Sequence, residues 1–195
     1  MRKLMVIDAC MRDGDSRTRR VLEPLVAELG KRYEIETVRL DGEDYAAVGR
    51  RVLAERSSGY VPEETVALAR RLAGADRIVI AAPFWDMSFP AILKVFIENM
   101  SLYNITFKDS GTHFEGLCRS EKLLYVTTRG MNVRTGDPLE AATPLSEGPF
   151  RALGLWRGDY RCCGEPRLQH SRGGGCTDSR RSQGRSGYLQ EFLII

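Results

Sequence analysis

The chain has 195 residues, enough for one domain with a continuous core, and its 43% hydrophobic and 28% charged residues match an ordinary globular protein. The net charge of +3 lies wholly after Leu155, where seven arginines face four acidic residues, leaving a body balanced at 22 basic and 22 acidic residues. A neutral body argues against nucleic acid, whose phosphates call for a concentrated basic face, and no apolar run approaches the roughly 20 residues that span a membrane.

In chain order, Lys3–Ile7 is a short apolar run that passes straight into Asp8. It is too short for the core of a signal peptide, so a cytoplasmic address is expected. A loop, Asp8-Ala9-Cys10-Met11-Arg12-Asp13-Gly14-Asp15, precedes a helix whose apolar stripe is Val21, Leu22, Leu25, Val26 and Leu29. Ser16 or Thr18 would cap it and Gly30 would end it. Glu34–Leu40 alternates like a second strand. A polar stretch follows, and then Pro62-Glu63-Glu64, with proline and acids in the first turn, opens a helix continued by Val66, Leu68, Ala69 and Leu72.

Arg77–Ala82 is a continuous apolar run, the kind buried on both faces of a parallel sheet. Pro90 opens a helix carrying Ile92, Leu93, Val95, Phe96 and Ile97, and Leu123–Thr127 reads as a fourth strand. Strands alternating with helices give an α/β fold with a doubly wound parallel sheet. Ligands of such sheets bind beyond the carboxyl ends of the strands, where three loops fall: Asp8–Arg17, Pro83–Pro90 and Thr128–Arg134.

The first loop carries neither GxGxxG nor a Walker motif. It offers Gly14-Asp15-Ser16-Arg17-Thr18 running into a helix N-terminus, where free N–H groups, two hydroxyls and a guanidinium suit a phosphate monoester. An ordinary capped helix is the plain alternative. The second loop, Pro83-Phe84-Trp85-Asp86-Met87-Ser88-Phe89-Pro90, sets three aromatics and a methionine just past a buried strand. These residues either cover neighbouring core or wall a flat heteroaromatic ring.

Ala81 through Lys94 resembles the isoalloxazine loop and following helix of the FMN-dependent azoreductase and NAD(P)H:quinone oxidoreductase family. Ser16-Arg17-Thr18 resembles that family's phosphate loop. The stretch from Thr106-Phe107-Lys108 to Glu115-Gly116-Leu117 resembles its insertion before the fourth strand, and Thr127-Thr128-Arg129-Gly130 its second flavin loop. The resemblance spans roughly residues 3–155 and implies a flavodoxin-like fold with FMN as cofactor.

By that resemblance Ser16, Arg17 and Thr18 hold the FMN phosphate. Pro83, Phe84, Trp85, Asp86 and Met87 line the isoalloxazine, and Thr128, Arg129 and Gly130 follow its pyrimidine edge. The implied activity is hydride transfer from NADH or NADPH through the flavin to a quinone, azo compound or similar small-molecule acceptor. The resemblance also implies a homodimer, and no protein nucleophile or metal is called for. A flavodoxin-type electron carrier and an inactive remnant of the enzyme are the alternatives. The sequence departs from some members at Cys10, at Met131 and at Asp109.

Of five cysteines, Cys10 and Cys118 lie in the body and Cys162, Cys163 and Cys176 in the tail; with no CxxC pair and only His113 and His170, neither a disulfide framework nor a zinc site is expected. Residues 1–155 thus form the expected FMN-binding domain, and 156–195 an irregular tail rich in Arg, Gly, Ser and Cys. The fold calls for a fifth strand and a final amphipathic helix here, yet Arg172–Cys176 and Ser179–Gly187 show no periodicity. Intrinsic disorder, a basic RNA-binding tail and a frameshift in the gene each account for that composition.

Overall fold

A computed structural model describes residues 1–155, apart from residues 13, 43–44, 131–132, 144–147, 149 and 151, together with residues 162–163. Strand β1 is Arg2–Asp8, followed by helix α1 (Arg17–Leu29), strand β2 (Tyr33–Arg39), a short 3-10 turn at Leu40–Gly42, and helices α2 (Arg50–Ser57) and α3 (Glu63–Ala73). Strand β3 (Arg77–Ala81), helix α4 (Ala91–Met100), a small hairpin of β4 (Phe107–Asp109) and β5 (Phe114–Gly116), strand β6 (Lys122–Val126) and strand β7 (Cys162–Cys163) complete the described elements.

The main sheet is parallel throughout, in the order β2-β1-β3-β6-β7. The chain runs outward from β1 to β2 and then crosses to β3, so the direction of winding changes between β1 and β3. The carboxyl ends of these two strands flank the switch point where such sheets bind ligands.

The sheet sits here because its central strands are apolar on both faces. Leu4 and Val6 of β1, Val79 and Ala81 of β3, and Leu124 and Val126 of β6 pack with Leu22 and Leu29 of α1 in one cluster. The alternate residues Met5, Ile7, Ile78, Ile80, Leu123 and Tyr125 pack with Leu68 and Leu72 of α3 and with Leu93 and Phe96 of α4 in a second cluster. The strand period of two thus divides one apolar run between two layers of helix.

Helix α1 begins as its cap predicts, with Ser16 Oγ accepting from the Arg19 amide at 3.2 Å, and ends at Gly30. The four expected strands shift by no more than one residue at either end, within the usual scatter of element boundaries.

Helix α2 lies in the stretch expected only to be polar. It buries no residue, so it carries no apolar stripe to announce it. An Arg51–Glu55 pair spans it at 2.6 Å, and Arg56 donates to the carbonyls of Glu98 and Asn99 at 3.2 and 3.3 Å. Those carbonyls belong to the last turn of α4, where acceptors lack helical partners.

Strand β7 falls in the segment expected to be irregular. Cys162 and Cys163 align with Tyr125 and Val126, and two residues are too few to leave a periodic signal. The other tail residues, and with them the disorder, RNA-binding and frameshift expectations, lie outside the described residues.

Candidate cofactor site

All three expected loops emerge at the carboxyl ends of adjacent strands, the first after β1, the second after β3 and the third after β6. Backbone bonds lock them edge to edge: Ala9 N–H donates to Ala81 O at 2.8 Å, Ala82 to Val126 O at 3.0 Å, and Phe84 to Thr128 O at 3.1 Å. The strand ladders therefore continue into the loops and fix their relative height.

One side-chain bond joins the first loop to the third. Thr18 Oγ1 and Thr128 Oγ1 lie 2.7 Å apart, and both residues are buried. Thr18 is fully enclosed, so its hydroxyl serves as a brace between loops. Arg17 points the other way, to the surface, and one of its guanidinium nitrogens comes within 3.4 Å of where a Cβ on Gly130 would sit. Among the described residues its guanidinium has no carboxylate partner. Gly130 leaves room for that approach.

The second loop makes a two-residue reversal. Trp85 and Ser88 exchange backbone hydrogen bonds at 2.8 and 2.7 Å, and between them Asp86 and Met87 adopt φ of 47° and 63°. Two consecutive non-glycine residues in the left-handed region cost of the order of 1–2 kcal/mol each. Such strain is held where the surrounding structure over-determines it, often at ligand sites. Here Met87 O accepts from Ala141 N–H at 2.8 Å. Phe84 is buried beneath the turn, Met87 and Pro83 are partly buried, and Trp85 and Asp86 are exposed.

Arg129, expected along a ring edge, has its side chain engaged by the protein. Its guanidinium turns inward, donating to Val133 O at 3.1 Å and Thr135 Oγ1 at 3.0 Å. It also lies 3.5 Å from Glu140 Oε1 and 5.0 Å from the centroid of the Phe84 ring. Glu140 accepts in turn from the Thr143 amide at 2.9 Å. Arg129 therefore ties the second loop to the segment after the third.

Sequence reasoning missed two residues. Asp8 is buried at the end of β1, where its carboxylate accepts from the Cys10 amide at 2.9 Å and from Arg19 Nε at 2.9 Å. Arg19 further donates to Cys10 O at 2.7 Å and to Asp41 Oδ2 at 3.0 Å, and Arg39 donates to the same Asp41 oxygen at 2.7 Å. Burial works against the charge of Arg19, but the Asp41 and Asp8 carboxylates raise its pKa above the ordinary value. Arg39 holds Asp41 below the ordinary carboxylate range, with Arg19 aiding and partial burial opposing. A carboxylate closing an apolar strand was the available signal, since buried charges are paired.

Cys10 is no candidate nucleophile. Burial, and then the hydrogen bond with Asp8, push its thiol up to about 12, so it stays protonated at neutral pH. His113 lies exposed near the hairpin, within 3.1 Å of Ser110 Oγ. An open cavity of about 800 Å³ at the outer edge of the sheet is bordered by Met11, Thr37, Arg39, Asp41, Tyr45 and Arg71, and by no residue of the second or third loop. Among the described residues no cluster of His, Cys, Asp and Glu could hold a metal, and no helix is long and apolar enough to cross a membrane.

Known proteins share this fold. The family profile described as flavodoxin-like fold matches residues 2–155. An FMN-dependent NADH:quinone oxidoreductase 2 of Clostridium acetobutylicum is 42% identical over 42% of this chain, a match that spans only 35% of that protein. An FMN-dependent NADH:quinone oxidoreductase of Clostridium perfringens is 34% identical over 67% of this chain and 70% of its own length. Among solved structures, an FMN-dependent NADH-azoreductase of Bacillus anthracis in complex with FMN superposes with a TM-score of 0.71 over 85% of this chain and 87% of its own, at 20% identity, a likeness of fold. With the profile covering its whole body, the chain belongs to the flavodoxin-like family.

Proposed function

We propose that this chain is an FMN-dependent oxidoreductase that passes hydride from NADH, or NADPH, to a quinone, azo compound or similar small acceptor. The observation that carries the proposal is the joining of three loops at the β1/β3 switch point, with the Thr18–Thr128 bond closing the first onto the third. Similar proteins are named FMN-dependent NADH:quinone oxidoreductases, which supports the choice of cofactor and reductant. Residues 1–155 make up the flavin-binding unit, in a cytoplasmic homodimer without nucleic-acid or membrane partners.

The residues fit FMN. Arg17, exposed beside Gly130 and without a carboxylate partner among the described residues, suits a phosphate. The N–H groups of Ser16, Arg17 and Thr18 open helix α1, where none has a helical acceptor. Pro83, Trp85, Asp86 and Met87, with Phe84 buried beneath them, would wall the ring, and the strained turn at Asp86 and Met87 would meet its edge. Thr128, Arg129 and Gly130 would offer their backbone to the opposite edge.

Bound there, FMN would supply the two-electron chemistry, taking hydride from the reduced nicotinamide and delivering it to the acceptor. The phosphate would be held by Arg17 and the α1 amides and the ring by the Trp85–Ser88 turn, which Arg129 and the Ala141 amide keep in place from Phe84 and Met87. Purified protein should be yellow or take up FMN, and should oxidise NADH faster when a quinone is added. A colourless protein that binds no FMN refutes the proposal. A yellow protein bleached by dithionite but not by NADH or NADPH makes it an electron carrier instead.

A further inference from the structure

We infer that Arg19 is a positioning residue that shapes and neutralises the phosphate loop, and so sets the preference of this site for a phosphorylated flavin over the free one. The inference rests on the flavin reading above. Arg19 lies on the first turn of α1, directly after Ser16, Arg17 and Thr18, and its side chain is only 12% exposed. From there it reaches three separate parts of the fold: Asp8 at the end of β1, the carbonyl of Cys10 within the loop, and Asp41 in the turn after β2. Its own amide donates to Ser16 Oγ. One residue therefore ties down both ends of the loop, Cys10 through its side chain and Ser16 through its backbone.

The electrostatics point the same way. Asp8 and Asp41 put two carboxylates beside a loop that must accept a dianion, and Asp8 is 3% exposed, so solvent does little to screen it. Arg19 bonds to both, and Arg39 bonds again to Asp41. The pairing cancels a field that would otherwise repel phosphate, and it gives the Cys10 carbonyl a cationic partner. Lysine would keep the charge but not the fork, because three acceptors in three directions need the guanidinium's several N–H groups. The flavin ring, walled by the other two loops, should feel none of this.

The test compares FMN with riboflavin, which carries the same ring and no phosphate, by titrating both into wild-type protein and the variants Arg19→Gln and Arg19→Lys. Arg19→Gln should bind FMN at least about tenfold more weakly, the loss seen when the outer partners of metal ligands are removed, and riboflavin within about twofold of wild type. Arg19→Lys should fall between, and it carries the test alone if the glutamine variant does not fold. Equal loss of both ligands makes Arg19 a general structural residue and overturns the inference, as does unchanged FMN-over-riboflavin preference in the variants. A wild-type protein that binds both flavins equally also overturns it while leaving the flavin reading standing; one that binds neither overturns both.

Discussion

The bond between Thr18 and Thr128 joins residues 110 positions apart, and its removal can be worked through quantitatively. Valine replaces threonine with nearly the same shape, so Thr18→Val deletes one hydroxyl and leaves the other in place. Thr18 is 0% and Thr128 5% exposed, so water cannot take over the lost bond. A buried hydroxyl stripped of its partner costs about 1–3 kcal/mol, so each single variant should lose about that much stability. Replacing both partners with apolar groups of the same shape removes the unsatisfied group altogether. The double variant Thr18→Val/Thr128→Val should therefore lose clearly less than the two single losses combined, by about 1 kcal/mol or more. Urea unfolding of the FMN-free protein, with the four members of the cycle compared at equal slope, measures this directly. Additivity within about 0.3 kcal/mol, the behaviour of independent sites, would show that the loops are not coupled through these hydroxyls.

Other consequences follow from single features. A Cβ on Gly116 would fall 2.0 Å from the Gly154 nitrogen and 2.3 Å from the Leu153 carbonyl carbon, both backbone atoms. Gly116→Ala should therefore destabilise by about 3 kcal/mol or more, the upper end of overpacking, read as a lowered urea midpoint. Burial pushes the thiols of Cys10 and Cys118 up to about 12, from an ordinary value of 9.0. Both should resist iodoacetamide at pH 8 in native protein and react after denaturation, as peptide mass mapping would show. Because their folded values are raised, the stability linked to them is complete below pH 9 and is lost as pH rises toward 12. Asp41 has the opposite sign: its value is lowered from 3.8, so its contribution is complete above that pH and disappears on acidification. Asp41→Asn should flatten that part of the acid limb in a stability-against-pH curve. Trp85 is 38% exposed in the strained turn, so FMN should quench the protein's tryptophan emission, and Trp85→Phe should remove most of the quenching.

The elements were largely legible in the sequence because each carries its own local signature. The run Ile78–Ala81 had to be a central strand, since it is apolar at every position and thus needs cover on both faces. Ser16 or Thr18 ahead of an apolar stripe had to open a helix, and Ser16 is the cap. Helix α2 and strand β7 escaped notice for local reasons too, one having no buried face and the other only two residues. The loops could be placed at the ligand-binding end of the sheet because their position follows from the order of strands and helices alone.

Amino-acid order by itself thus determined the parallel α/β body, the three loops and the residue types they offer. Only the tertiary structure decided what each of those residues does. Thr18 and Arg129 looked like ligands of a phosphate and a ring edge, yet folding buries their side chains in bonds to Thr128 and to Val133, Thr135 and Glu140. Arg17 and Arg19 are the same residue type two positions apart, yet one is exposed beside Gly130 and the other joins Asp8, Cys10 and Asp41. A side chain's hydrogen-bonding capacity is local, whereas its partner is set by which strands become neighbours in the sheet. That neighbourhood exists only once the chain has folded.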